Sequence, residues 1–287
     1  MVSAVLRRSC GGHARASRGR LLETCVARLG PAPARSFAHG MASALVVDVG
    51  ATSARVTPVE GGFPLRMGLR QSGVAGDFMD KVTASLLMGS SAVDRSSSRA
   101  EQRERNRDAR SLREAAAHSG LPPLDASGAF DATRGLTDPP STTACGKRVP
   151  GRARRAVGGV MFRDDDEGFS GVPERPAGSG TLQSLVAAAL FAVGDSARVH
   201  CGEAVLLTGG AARTAGCADR LAWELAKPDA LAAGLDFHLL PVPLSEVTTS
   251  PWMGGSVLAS AGTLPDLFIS AEEWAAEGAK LLPDRCP

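Results

Sequence analysis

The sequence has no tyrosine, few other aromatic residues and no long apolar run. Aromatic residues make up 4% of its 287 residues. The most apolar stretch, 182–193, is shorter than the roughly 18 apolar residues that a membrane-spanning helix needs, and Gln and Ser interrupt it. We therefore expect no transmembrane helix and no membrane partner.

The chain also lacks an excess of charge of either sign. It has 32 Lys and Arg against 30 Asp and Glu, a formal net charge of +2, so overall charge points to no class of partner. A hydrophobic content of 44% is enough for a core, whereas 18 Pro and 33 Gly indicate that part of the chain does not pack.

Cysteine and histidine show no metal-ligand spacing. The six cysteines form no C-x-x-C pair, which excludes the common zinc and redox spacings and favours a reduced intracellular compartment. The five histidines have no spacing to acids that would suggest a metal site, and Ser256 in GGSVL lacks the G-x-S-x-G pattern of a nucleophile elbow.

Four segments can be distinguished along the chain. Residues 1–35 are Arg-rich, a composition that also suits an organelle transit peptide, and we predict that they are disordered. Residues 36–88 predict three antiparallel strands, the third from Phe63 to Leu69, and a helix with Asp77 as its N-cap.

The remaining two segments contrast sharply. Residues 89–178 are rich in Ser, Arg and Pro, so we predict that most of them are disordered and that Ala100–Ala117 forms an exposed helix too thin in apolar residues to dock. Residues 179–287 predict alternating helices and strands. These are helix 182–193, strand 204–208, helix 216–226, strand 237–242, a helix starting at Val257 and a last helix ending near Gly278. The class is therefore α/β.

Two glycine turns are the best places for a ligand. In the first, from Asp48 through Gly50, Ala51 and Thr52, inward amides can donate to phosphate oxygens, and Asp48 can hold a water of Mg²⁺. In the second, Gly209 and Gly210 leave room for a base or ribose above a helix N-terminus. Each turn taken singly is more often an ordinary turn.

Two surface features are further candidates. The basic run of Lys147, Arg148, Arg152, Arg154 and Arg155 suits a nuclear-import signal or a weak DNA-phosphate contact, and a solvated disordered segment explains it equally well. Trp252 beside a diglycine is most simply a packing anchor, and the alternative is a partner contact.

Three stretches in order resemble the actin family. Ala44–Met79 (ALVVDVGATSARVTPVEGGFPLRMGLRQSGVAGDFM) resembles its second phosphate loop and hairpin, Gly202–Lys227 its adenosine-binding turn and helix, and Ser250–Pro287 its C-terminus. The Asp-x-Gly-Ala-Thr loop, the AGDF wording and the ending Arg-Cys-Pro resemble the nuclear actin-related protein four branch, also called actin-like protein six.

The resemblance implies an actin-like fold, that of actin, Hsp70 and sugar kinases, which is incomplete here and consists mainly of the second lobe and the C-terminal helices. It implies ATP with Mg²⁺ as the ligand. The candidate binding residues are the two turns with Gly76, Asp77 and Ala211. The branch implies a noncatalytic nuclear subunit of chromatin-remodelling and histone-acetyltransferase complexes. Its partners would be actin, other complex subunits and a long helix of the remodelling ATPase.

The departures from the family pattern argue against catalysis. The first phosphate loop and its lysine have no counterpart ahead of Ser36, and we expect the helix that carries actin's water-orienting glutamine to be absent as well. Ala51 and Arg55 stand where actin has an acid and a histidine. We therefore predict no enzyme activity. Two alternatives stay open, a cytoplasmic actin-like ATP-binding protein of the cytoskeleton and a degenerate fragment directed to an organelle such as the mitochondrion.

Overall fold

The computed structural model describes residues 31–89, 98–125, 127–131, 134–164, 172–227, 237–240, 242–243, 245–260 and 271–281. The strands are β1 Ala44–Val49, β2 Ala54–Glu60, β3 Phe63–Pro64, β4 Arg70–Ser72, β5 Thr142–Ala144, β6 Lys147–Val149, β7 Val205–Thr208 and β8 Leu239–Leu240. The α-helices are α1 Pro31–Ala38, α2 Gly76–Met88, α3 Arg99–Ala116, α4 Gly151–Gly158, α5 Leu182–Phe191, α6 Asp195–Gly202, α7 Cys217–Leu225, α8 Ser250–Ser260 and α9 Ala271–Glu277. Within these ranges no helix is long and apolar enough to cross a bilayer.

Strand β1 lies in the middle of a mixed sheet of order β3-β2-β1-β7-β8, with β4 also paired to β2. The β1–β2 pair is antiparallel, while β7 and β8 run parallel to β1 and to each other. The predicted α/β class with antiparallel strands on one flank is therefore confirmed.

Both faces of this sheet are buried. Along β1, Leu45, Val47 and Val49 belong to the larger core, which is shared with α2, α5 and α7. Ala44 and Val46 face the opposite way, into a smaller core that includes Ala32 of α1. A strand covered on both sides must be apolar at nearly every position, which explains the sequence ALVVDV.

The third predicted strand is interrupted. The chain forms β3, a 3₁₀ turn at Arg66–Gly68 and then β4, all within the stretch expected to be one strand or just after it. Gly68 lies so close to its neighbours that a β-carbon there would stand 2.6 Å from Pro58 and 2.8 Å from Val193. The chain leaves the regular strand at this point because Gly68 packs against β2 and the end of α5.

Helix α2 begins without the predicted cap. Its N-cap residue is Ala75, and Asp77 lies within the first turn, so the prediction of Asp77 as N-cap was wrong. The first amides of the helix are satisfied by the backbone of the β1–β2 turn instead. A carboxylate in the first turn still interacts favourably with the helix dipole.

Helix α1 is a second correction. Residues 1–30 lie outside the described part of the chain, but Pro31–Ala38 is helical and its Ala32, Ala34, Arg35 and Ser36 are buried. The predicted disorder of residues 1–35 therefore does not hold for 31–35. The helix expected to be missing before the first strand is present, and it contains no glutamine.

The stretch 89–178 also differs from its prediction. Its described residues include α3, the β5–β6 hairpin and α4. Helix α3 has the predicted bounds to within a residue and is capped by Ser98 and Glu101. It does dock, because Leu112, Arg113 and Ala116 are buried and Arg113 forms an ion pair with Asp80 of α2, at 2.5 Å. A buried ion pair thus replaces part of the apolar stripe that the sequence lacks.

The later elements follow the prediction more closely. Helix α5 starts after its N-cap Thr181, and α7 ends one residue before Ala226. Strand β8 has only two residues, and α8 starts at Ser250 instead of Val257. The last helix, α9, ends at Glu277 as expected, while the sequence ending after 281 lies outside the described residues.

Candidate functional site

The two glycine turns lie next to each other at one edge of the sheet. Strands β1 and β7 are parallel with Asp48 opposite Thr208, so the turns that follow them leave the sheet on the same side. The prediction that Gly50 and Gly209 lie on one side is confirmed. The carboxyl ends of parallel strands are where α/β folds commonly bind ligands.

The two glycines of the second turn have different environments. Gly209 has a φ of +97°, and a β-carbon there would stand 2.5 Å from Oδ1 of Asp48 and closer still to the Val49 carbonyl. Gly210 is exposed, and a β-carbon there would meet nothing within 4 Å. Gly209 is therefore required for packing, and Gly210 faces open space beside the buried Ala211.

A loop after β8 fixes the end of β7. The hydroxyl of Thr208 donates to the carbonyl oxygen of Val247 at 2.7 Å, and the amide of Gly209 donates to the same oxygen at 3.4 Å. Val247 is itself buried. The second turn is thus held on one side by Asp48 and on the other by this carbonyl.

The first turn uses most of the polar groups that the sequence assigned to phosphate. The amide of Gly50 donates to the Ser53 carbonyl at 3.0 Å. The amides of Gly76 and Asp77 donate to the carbonyls of Gly50 and Ala51, at 3.1 and 2.7 Å. These three amides satisfy the hairpin and the helix terminus, so they are not open donors.

What remains open in the first turn is its tip. Ala51 and Thr52 are exposed, and their amides have no partner within the described residues. Together with Gly210, they are the backbone groups of the predicted site that a ligand can still reach. The structure therefore brings the predicted residues together but leaves only a part of them available.

Asp48 has a partner that the sequence did not reveal. Nη1 of Arg35, on α1, lies 2.5 Å from Oδ2 of Asp48, with side-chain exposures of 10% and 21%. Nη1 and Nε of Arg35 are buried without a hydrogen bond of acceptable geometry. The pair is therefore an electrostatic contact between charges largely removed from water.

The predicted magnesium role of Asp48 does not fit this arrangement. A guanidinium already neutralises the carboxylate, and Gly209 covers its other oxygen. In the described part of the chain there is no group of three His, Cys, Asp or Glu residues able to hold a metal ion. Since Mg²⁺ needs oxygen ligands at close range, Asp48 alone does not form its site.

The residues that differ from actin's catalytic positions are not replaced by other groups. Arg55 is exposed on β2 and donates from Nε to Oε1 of Gln71 at 3.1 Å. Ala51 has no functional group, and α1 supplies an arginine in place of a glutamine. Nothing at this edge, among the described residues, is arranged to orient an attacking water.

The basic run does not form one patch. Arg154 donates to the carbonyls of Ala116 and Pro140, and Arg155 pairs with Asp138 at 2.5 Å. These two arginines fasten α4 to its neighbours. The exposed members, Lys147 and Arg148 on β6 and Arg152 on α4, stay as the predicted surface for a nucleic acid or an import receptor.

Trp252 is not the packing anchor that was favoured. Its side chain is 42% exposed on α8, while Gly254 on the opposite face packs against α1. A β-carbon on Gly254 would overlap the Ala34 carbonyl, so the two helices approach backbone to backbone. The alternative, a partner contact for Trp252, therefore stays a prediction.

Sequence reasoning missed two participants, Arg35 and Val247. An arginine within a helix of alanines and prolines could have signalled a buried charge, but its partner is set by the packing of α1 on β1. Val247 contributes only a carbonyl, for which a sequence carries no signal.

Comparisons with known proteins agree with the edge just described. A profile of the family described as Actin matches residues 26–119 and 147–287. The chain is 26% identical to "Actin-related protein 4" of Yarrowia lipolytica, covering 88% of this chain and 63% of that protein. It is 29% identical to "Actin-related protein 4" of Emericella nidulans, covering 88% and 62%.

A third relative carries a more specific title. The chain is 24% identical to the "SWI/SNF and RSC complexes subunit arp42" of Schizosaccharomyces pombe, covering 83% of this chain and 64% of that protein. The chain thus spans somewhat less than two thirds of the length of these curated relatives. The match begins before α1, in agreement with a helix that is part of the fold.

Proposed function

Because the chain belongs to the actin family, we propose that it acts as a noncatalytic architectural subunit of nuclear chromatin-remodelling or histone-acetyltransferase complexes. The observation that carries the proposal is the closed strand-end site, in which Arg35 engages Asp48. The titles of the relatives support the choice of complex.

The absence of catalysis is argued from the same edge. A hydrolase would need an oriented water and a group that stabilises charge on the phosphate. Ala51 and the exposed Arg55 supply neither, and three of the predicted phosphate-binding amides are engaged in the fold. A subunit of this kind acts through the surfaces that it presents, and nucleotide would at most stabilise it.

Phosphate release separates the proposal from a hydrolase. The purified chain should release phosphate from ATP no faster than a heat-denatured sample. Sustained release that follows the folded protein through purification and disappears in Asp48→Ala would contradict the proposal. Asp195→Ala, a change at an exposed aspartate of α6, is the control for loss of a carboxylate.

Association is the second test. We propose that the partners are a remodelling-ATPase helix, actin and other complex subunits, and that the protein is nuclear. Affinity purification from nuclear extract should recover such subunits, and Trp252→Ala should weaken recovery. Trp274→Ala is the matched control, since Trp274 of α9 is exposed to 45% against 42% for Trp252.

The same experiment can reject the proposal. If the tagged protein recovers no subunit of a chromatin complex and fluorescence places it in mitochondria, the organelle-directed alternative replaces it. If it remains cytoplasmic and co-sediments with filaments, the cytoskeletal alternative does.

A further inference from the structure

Asp48 is the carboxylate expected to face a metal, yet both of its oxygens are occupied. Oδ2 lies 2.5 Å from Nη1 of Arg35. Oδ1 lies 2.5 Å from the point where a β-carbon on Gly209 would stand, so the backbone of the second turn covers it. A cation approaching Asp48 would have to displace one of the two.

Arg35 is not a surface side chain that swings away. It is 8% exposed, and Ala34 beside it packs against Gly254 of α8 so closely that no side chain fits between the helices. Helix α1 is therefore fixed against α8 on one side and the sheet on the other. The guanidinium is part of the interior, and its pairing with Asp48 is a property of the fold.

We propose that Arg35 is the resident cation of the strand-end turn, in the place where a divalent metal would be expected, so that any phosphate group bound there is bound without a metal. A guanidinium is permanently charged and donates to phosphate oxygens, and Arg35 has two buried donor atoms, Nε and Nη1, without a hydrogen bond. The tip amides of Ala51 and Thr52 are the neighbouring open donors. The inference concerns the site alone and does not depend on membership of a chromatin complex.

The proposal and the metal-ligand role of Asp48 predict opposite effects of one substitution. If Asp48 holds a hydrated metal, Asp48→Asn weakens the binding of Mg·ATP. If Arg35 is the resident cation, the same change frees the guanidinium and removes a negative charge from the site. Asp48→Asn should then bind metal-free ATP about tenfold more tightly than the unmodified chain, a change that equals about 1.4 kcal/mol.

The measurement is a titration of the full chain with ATP in EDTA and, separately, in excess Mg²⁺, followed by calorimetry. Asp195→Asn is the matched control, because it removes an exposed carboxylate paired with Arg198 and should leave binding unchanged. The unmodified chain should bind ATP no more tightly with Mg²⁺ than without it. Tighter binding with Mg²⁺ that is lost in Asp48→Asn would overturn the proposal, as would no gain for metal-free ATP in Asp48→Asn.

A second variant tests Arg35 directly. Arg35→Gln should lose the gain when it is combined with Asp48→Asn, and this double variant removes both members of the pair, so no buried charge is left unpaired. Its thermal unfolding midpoint is measured first to confirm that it folds. A double variant that binds metal-free ATP as tightly as Asp48→Asn alone would show that another group is the cation and would refute the assignment.

Discussion

Oδ1 of Asp48 lies 2.5 Å from where a β-carbon on Gly209 would stand, so the two glycine turns touch at the end of the sheet. Gly209 also has a φ of +97°, which side-chain-bearing residues rarely adopt. We expect Gly209→Ala to lower the free energy of unfolding by more than about 1 kcal/mol, measured by urea denaturation. Gly210→Ala, with open space around it, should cost less. Equal losses for the two variants would contradict the described packing.

The ion pair between α2 and α3 gives a second prediction. Arg113 is 6% exposed and its Nε lies 2.5 Å from Oδ1 of Asp80. Burial raises the pKa of Asp80 even though Arg113 acts to lower it. Removing the carboxylate in Asp80→Ala leaves a buried guanidinium without its partner and should cost about 3 kcal/mol or more.

The control for this pair is Glu114→Ala, because Glu114 is exposed and pairs with Arg110 one helical turn away. An exposed pair of this kind contributes less than about 1 kcal/mol. Thermal or urea unfolding of both variants checks the difference. A loss for Asp80→Ala no larger than that of the control would mean that α3 is not docked through this contact.

His118 predicts that acid destabilises the fold. Burial, with a smaller effect of nearby Arg154, lowers the pKa of His118 below its ordinary value of 6.5. Below that value the unfolded chain takes up a proton that the folded chain does not, so the free energy of unfolding falls as the pH falls from about 7 to about 5.

Urea denaturation at several pH values checks this expectation. In His118→Gln the stability loss over that interval should be smaller, whereas His238→Gln, at an exposed histidine, should leave it unchanged. The same pH dependence in His118→Gln and in the unmodified chain would show that another group titrates.

Cysteine reactivity is the fourth prediction. Burial raises the pKa of Cys201 to about 11 and that of Cys217 to about 12, so both are fully protonated thiols at neutral pH. Cys145 is exposed at the tip of the β5–β6 hairpin. We expect iodoacetamide to label Cys145 in the native protein and to label the other two only after denaturation.

Mass spectrometry of the labelled peptides measures this difference. Rapid native labelling of Cys217 would indicate that the start of α7 opens readily, against its burial beneath Ser119 and its neighbours. Cys145→Ser should remove the fast-reacting peptide without a change in the other two.

The sequence by itself determined the order of the main elements in 36–88 and 179–287. The apolar run of β1 and the 3.6-residue spacing of α5 specify local structure whatever surrounds them. The same holds for Thr181 as an N-cap and for the glycines that end the two strands. The resemblance to the actin family, argued from those stretches, is confirmed by the profile match.

Only the tertiary structure decided what the site residues do. Which amides remain open depends on hydrogen bonds between Gly50 and Gly76, residues that are neighbours in space because α2 returns to the β1–β2 turn. The docking of α3 depends on a charge pair that local periodicity cannot reveal. The pairing of Asp48 with Arg35 depends on α8 pressing α1 against the sheet, and no local pattern encodes a contact between two helices so far apart along the chain.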